Sequence, residues 1–178
     1  MLPTDTVYGL CGDPHLESAA HELYRLKQRP AEQPLALLAK DVDTLFELVP
    51  ELPASLQQLL PGPYTLVLAN PARRFRWLTG SAPETIGVRV PELTGPGADV
   101  LGEVGAVVAT SANLHGGPEA RTLEEVPAEI RAASVLVDGG ELPGTPSTVL
   151  DLTGAEPRVL REGAVPAAEA LERFRQVT

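Results

Sequence analysis

The sequence predicts an α/β fold: a central mixed sheet with helices packed against it. Three observations predict it. Short apolar runs alternate with segments of helical spacing from one end of the chain to the other. No internal repeat, low-complexity stretch or linker interrupts the 178 residues, so residues 1–178 read as a single domain. The 18 prolines fall between periodic segments and mark short, stiff connections.

In order, residues 6–10 read as a short strand closed by the turn Cys11-Gly12-Asp13-Pro14. Leu16, Ala19, Ala20, Leu23 and Leu26 recur at helical spacing, which predicts a helix over 16–27, and Pro30 forbids its continuation. The apolar run 35–39 predicts a buried strand. Asp41 or Asp43 can cap a helix through Leu48, and a further helix covers 54–60. Pro61-Gly62-Pro63 is a sharp turn before a strand over 64–68. Residues 70–84 form a long polar connection carrying Arg73, Arg74, Arg76 and Trp77, and a loop of that length is uncommon without a function. Strands follow at 86–90, 106–109, 135–137, 148–152 and 158–161, with helices at 98–104, 123–132 and, starting from Pro166, through Phe174.

Composition excludes several classes of function. Hydrophobic content of 43% and charged content of 21% suit a soluble globular protein, and no run approaches the ~18 apolar residues of a membrane helix. The start, Met1-Leu2-Pro3-Thr4-Asp5, has no basic or apolar leader region. Cys11 is the single cysteine, so neither an internal disulfide nor a cysteine-rich metal cluster is expected, and a cytoplasmic setting fits. A net charge of −10 argues against a broadly basic nucleic-acid surface but leaves room for a local patch.

Such a patch starts at Lys27-Gln28-Arg29-Pro30. Lys27 and Lys40 are the only lysines. Lys27 and Arg29 read either as a basic helix end complementing the helix dipole or as an anion site, a point charge beside a planar fork. Thr4, Ser111, Asn113, Ser147, Arg89 and Arg161 sit at strand ends, where ligands gather in open α/β sheets and where turn and cap formers also gather. No phosphate-binding Gly-rich loop ending in Lys-Ser or Lys-Thr, no paired-glycine dinucleotide fingerprint and no metal-ligand spacing of His15, His21 and His115 is present. Arg73, Arg74, Arg76 and Trp77 could contact RNA through phosphate pairing and stacking, or form a solvated loop. Cys11 reads as a small packed residue.

These residues also carry a family resemblance. The stretch 3–10, Pro-Thr-Asp-Thr-Val-Tyr-Gly-Leu, then Lys27-Gln28-Arg29-Pro30, Pro61-Gly62-Pro63-Tyr64-Thr65, Val88-Arg89-Val90-Pro91, Ser111-Ala112-Asn113, Ser147-Thr148-Val149-Leu150-Asp151 and Leu160-Arg161-Glu162-Gly163 resemble, in order, the YrdC/TsaC family of threonylcarbamoyl-AMP synthases. The resemblance implies a YrdC-like twisted mixed parallel/antiparallel sheet with an open, concave, positively charged cavity. It implies a nucleotidyltransferase that converts L-threonine, bicarbonate and ATP, with Mg²⁺ carried by ATP and no dedicated metal site, into threonylcarbamoyl-AMP and pyrophosphate. Downstream, a t6A transferase assembly would use the product on tRNA. By motif position, Lys27 and Arg29 hold the phosphates as the catalytic cations. Ser111, Asn113 and Arg161 contact the nucleotide. Thr4, Arg89, Ala109 and Ser147 hold threonine, Arg89 through its carboxylate.

Three departures from the family pattern stand out. Met1 sits almost on the Pro-Thr-Asp-Thr motif, which the family usually precedes with a helix and strand residues, so the expectation is either a missing N-terminal element, with an exposed sheet edge or an altered lid, or a misassigned start. Gln33-Pro34-Leu35 stands where Asn-Pro-Leu is frequent, and Leu38 where many members have histidine. No C-terminal accessory domain is seen. The rival reading is a non-catalytic member of the same fold that binds tRNA or double-stranded RNA. A paralogue using another small acceptor is a third.

Overall fold

In the computed structural model, which describes residues 1–177 and the side chains of 1–175, the chain forms one eight-stranded mixed sheet with helices packed on it. The strands are β1 (Leu2–Pro3), β2 (Tyr8–Gly12), β3 (Ala36–Ala39), β4 (Tyr64–Ala69), β5 (Thr85–Arg89), β6 (Ala106–Ser111), β7 (Thr148–Asp151) and β8 (Arg158–Arg161). Their order across the sheet is β1-β2-β6-β3-β5-β4-β7-β8. Only β3 with β5 and β4 with β7 run parallel; the other neighbours are antiparallel. The helices are α1 (Glu17–Lys27), α2 (Val42–Leu48), α3 (Pro96–Val104), α4 (Ala128–Ala132) and α5 (Ala167–Val177).

Side chains alternate across a strand, and that alternation creates the molecule's two functional halves. Tyr8 and Leu10, Leu37 and Ala39, Leu66 and Leu68, Ile86 and Val88, and Val108 and Leu150 enter the apolar core. The intervening residues, Gly9, Ala36, Leu38, Thr65, Val67, Thr85, Gly87, Ala109 and Val149, line a cavity. The core set is mostly bulky, whereas six of the nine cavity residues are Gly, Ala or Thr, so the sheet has one packed face and one hollow face.

Local chemistry accounts for the element ends. Asp41 caps α2 by accepting from the Thr44 N–H at 2.7 Å. α1 closes on Gln28, whose φ is 52°, with Gln28 N–H donating to Arg25 O at 3.1 Å and Arg29 N–H to Tyr24 O at 2.9 Å. This paired closure with a left-handed residue ends the helix before Pro30 is reached.

Five expectations are corrected or refined. The strand expected over 6–10 starts only at Tyr8, and β2 runs on through Gly12 because it ladders with β6, while a separate two-residue β1 at Leu2–Pro3 pairs with its start. The helix expected over 54–60 is a 3₁₀ turn at Ala54–Gln58, and that over 123–132 starts only after Pro127. Residues 135–137 form no ladder: the Met1 ammonium donates to Val135 O and Val137 N–H to Met1 O, while the Val135 side chain is 83% exposed. The connection 70–84 is anchored, with Asn70 and Leu78 buried, Asn70 bonded to both the N–H and the O of Arg74, and Leu78 O accepting from Leu35 N–H at 2.8 Å.

Candidate active site

The cavity on the hollow face measures about 270 Å³. Gly9, Ala36, Gly87 and Ala109 keep its floor low, and Arg29, Arg89 and Arg161 reach its lining beside the hydroxyls of Thr4, Thr65, Thr85, Ser111 and Ser147. Three cations thus share one concavity in a chain of net charge −10. Low-dielectric walls strengthen their field on an anion.

Arg89, 6% exposed at the end of β5, is held from one side. Its Nη2 pairs with Asp5 Oδ1 and donates to Thr6 Oγ1 at 3.1 Å. Thr6 in turn shares a 3.0 Å hydrogen bond with Thr4 Oγ1, which donates to Val7 O at 2.6 Å. The Thr4-Asp5-Thr6 turn is therefore a scaffold for one guanidinium. Arg89 Nε and Asp5 Oδ2 are both buried without a hydrogen-bond partner. Burial pushes the Asp5 carboxyl up from its ordinary value, with the Arg89 charge opposing that push.

The left-handed Gln28 sends Lys27 and Arg29 in different directions. Lys27 is 2% exposed and turns behind the cavity wall, where its Nζ donates to Ser111 O (2.6 Å), Asn113 O (2.7 Å) and Asn113 Oδ1 (2.7 Å). Burial lowers its pKa to about 8, with the nearby Glu119 charge opposing. Ser111 Oγ donates to Asn113 Oδ1 at 2.6 Å, and Asn113 Nδ2 to Gly117 O at 2.6 Å. Arg29 instead reaches the cavity, donates from Nη2 to Pro34 O at 3.0 Å and has its Nε buried without a partner. Arg161 donates from Nη2 to Ser147 O at 2.8 Å and to Ser147 Oγ at 3.2 Å, fixing that hydroxyl. Burial lowers the pKa of Arg29 and of Arg161, and the Arg161 charge adds to the effect on Arg29.

Of the residues singled out in the sequence, Thr4, Arg29, Arg89, Ala109, Ser111, Ser147 and Arg161 line the cavity, while Lys27 and Asn113 stand behind Ser111. Sequence reasoning missed Asp5, Thr65, Thr85, Gly87 and Glu119. Asp5, a carboxylate between two threonines, and Gly87, a glycine inside an apolar strand, carried readable signals. Glu119 carried none: its Oε2 is buried without a hydrogen-bond partner, and its charge acts on Lys27 and Arg161.

The loop proposed for RNA contact is engaged within the fold. Arg74 pairs with Glu51 at 2.8 Å, and Trp77 Nε1 donates to Pro14 O at 3.0 Å. Cys11 is half-buried, and burial pushes its thiol up to about 11, which disfavours the reactive thiolate. Among the described residues, no group of three or more His, Cys, Asp or Glu could hold a metal ion, and no helix is long and apolar enough to cross a membrane.

Residues 1–163 match the model of the Sua5/YciO/YrdC family, described as "Telomere recombination". A threonylcarbamoyl-AMP synthase of Escherichia coli O1:K1 is 37% identical over 164 residues, covering 85% of this chain and 84% of its own. The crystal structure of P. abyssi Sua5 complexed with L-threonine superposes with a TM-score of 0.82 at 35% identity, covering 98% of this chain and 52% of that one. This chain therefore spans about half of that longer protein. The crystal structure of E. coli YciO superposes with a TM-score of 0.74 at 29% identity, covering 96% and 84%.

Proposed function

Because the chain belongs to the Sua5/YciO/YrdC family, we propose that it is a threonylcarbamoyl-AMP synthase, using L-threonine, bicarbonate and ATP and releasing pyrophosphate. The observation that carries this reading is the convergence of Arg29, Arg89 and Arg161, with the hydroxyls of Thr4, Ser111 and Ser147, on the hollow face of the sheet. A relative solved with L-threonine supports the acceptor, and relatives that bear the synthase name support the product.

The chemistry follows from the charges. Threonine presents its carboxylate to Arg89, whose buried Nε lacks a partner, and Thr4 and Ser147 flank it. Its amine takes up bicarbonate with loss of water to give a carbamate. A carbamate oxygen attacks the α-phosphorus of ATP, the bond from that phosphorus to the β-bridging oxygen breaks, and pyrophosphate leaves. Negative charge grows on the oxygens around one phosphorus, so fixed cations and donors at Arg29, Arg161 and Ser111 lower the barrier. Holding carbamate and phosphate in line supplies the rest, with no covalent enzyme intermediate. Mg²⁺ arrives on the phosphates of ATP, which suits a cavity lined by arginines and hydroxyls. The product then serves tRNA t6A modification through a separate transferase.

Pyrophosphate release by the purified chain with Mg²⁺-ATP, threonine and bicarbonate tests the reading. Release is expected to require threonine and to fall at least about tenfold in Arg29→Ala. Release that is unchanged without threonine overturns it.

A further inference from the structure

We propose that Lys27 is a positioning residue that fixes the Ser111–Asn113 turn and holds no phosphate oxygen itself, which leaves the phosphates to the Arg29 and Arg161 already assigned to them. The assignment rests on the adenylation reading above and divides the labour within it. A lysine ammonium has three N–H donors. All three of Lys27 point at acceptors of one turn, Ser111 O, Asn113 O and Asn113 Oδ1, at 2.6–2.7 Å. The main chain of Lys27 holds the same loop further on, since its carbonyl accepts from His115 N–H at 2.9 Å. For Lys27 to hold a phosphate oxygen, one of these donors would have to leave: Ser111 O or Asn113 O would lose its charged donor, and Asn113 Oδ1 would keep only Ser111 Oγ. Lys27 is also absent from the cavity lining, whereas Arg29, Arg161 and Ser111 are present in it.

The two arginines are arranged the opposite way. Neither has a carboxylate within ion-pair distance among the described residues. Arg29 Nε is buried without a partner. The Arg161 charge adds to the effect of burial on Arg29, while on Arg161 the Glu119 charge opposes burial. A guanidinium with an open donor, Arg29, beside a second cation that Ser147 holds in place, Arg161, is completed by a polyanion, and pyrophosphate is the polyanion this reaction releases.

The chain has only two lysines, Lys27 and Lys40, so wild-type protein labelled with ¹⁵N-lysine gives two side-chain ammonium signals, one buried and one exposed. Inorganic pyrophosphate is titrated in, with calorimetry in parallel. Pyrophosphate is expected to bind, to leave the Lys27 signal in place, and to bind about tenfold or more weakly to Arg29→Ala and Arg161→Ala. Lys27→Met is expected to keep pyrophosphate affinity within about threefold while the KM for ATP rises about tenfold, a split that general loss of structure would not produce. A Lys27 signal that moves on saturation in the wild-type protein overturns the assignment whether or not any variant folds, as does a Lys27→Met loss of pyrophosphate affinity equal to that of Arg29→Ala. Wild-type protein that binds neither pyrophosphate nor ATP overturns the adenylation reading itself, and this assignment with it.

Discussion

Lys27 and Asn113 are 86 residues apart in sequence, yet the Lys27 ammonium donates to both the backbone carbonyl and the side-chain oxygen of Asn113, each at 2.7 Å. The pair welds the last turn of α1 to the loop that follows β6. Asn113 also accepts from Ser111 Oγ and donates to Gly117 O, so a single amide sets the conformation of the whole turn.

Asn113→Ala leaves a buried ammonium one acceptor short and strands Gly117 O. We expect a loss of about 1–3 kcal/mol of unfolding free energy, read by urea denaturation. Asn113→Asp keeps an oxygen before Lys27 but also strands Gly117 O, so it should recover only the Lys27 share of the loss. Equal losses in the two variants would show that the Lys27 contact is not what the asparagine supplies.

Activity should fall on the alkaline side. Burial holds the Lys27 pKa at about 8; Glu119 opposes that depression and Arg29 adds to it. Above that pH the amine keeps two N–H groups and turns a lone pair toward an oxygen, so kcat/KM for ATP should decline toward about tenfold per pH unit. Stability runs the other way. The folded pKa lies below the ordinary 10.5, so between the two values the unfolded chain holds more protons and this group's contribution to stability rises with pH. A pH–rate profile beside a pH–stability profile checks both signs, and parallel loss of activity and stability would refute the explanation.

Much of this was legible in the sequence for physical reasons. Helical spacing and proline stops located α1, and apolar runs located β3, β4, β5 and β6, because burial on one or both faces dictates their composition. Residues 135–137 read as a strand by the same rule and are not one, since their apolar content does not determine whether a partner edge is free. Arg29, Arg89 and Arg161 were legible as scarce cations at element ends. The divergence of Lys27 from Arg29 was not. It depends on a left-handed glutamine at residue 28 and on a turn 84–86 residues away in sequence, neither of which local pattern encodes.

Asp5 is expected to govern Arg89. Asp5→Ala leaves a guanidinium that is 6% exposed without its carboxylate, which should cost about 3–5 kcal/mol and raise the KM for threonine more than that for ATP. The pH sign follows from the raised Asp5 pKa. The folded chain holds this proton more tightly than the unfolded one, so the group's contribution is largest below the ordinary 3.8 and is lost as pH rises through the folded value. Asp5→Asn should remove that component from the stability profile while keeping an oxygen for Arg89. A threonine KM unchanged in both variants would exclude Asp5 from acceptor binding.

Two glycines separate cavity from scaffold. A Cβ on Gly87 would meet only ordinary neighbours, Leu35 O at 3.6 Å and Thr65 Cγ2 at 3.8 Å, and would stand on the cavity floor. Gly87→Ala should therefore fold normally, gaining up to about 1 kcal/mol from a stiffer unfolded chain, while kcat/KM for threonine falls severalfold. Gly80 has φ near +59°, and a Cβ there would lie 2.1 Å from Glu32 O. Its neighbour Ser81 donates to that same oxygen at 3.0 Å, and Leu35 N–H donates to Leu78 O. Gly80→Ala must push the 70–84 connection off the segment that carries Arg29, so both melting temperature and activity should drop. The contrast is the test: if Gly87→Ala melts as low as Gly80→Ala, the hollow face is packing space and not a substrate site.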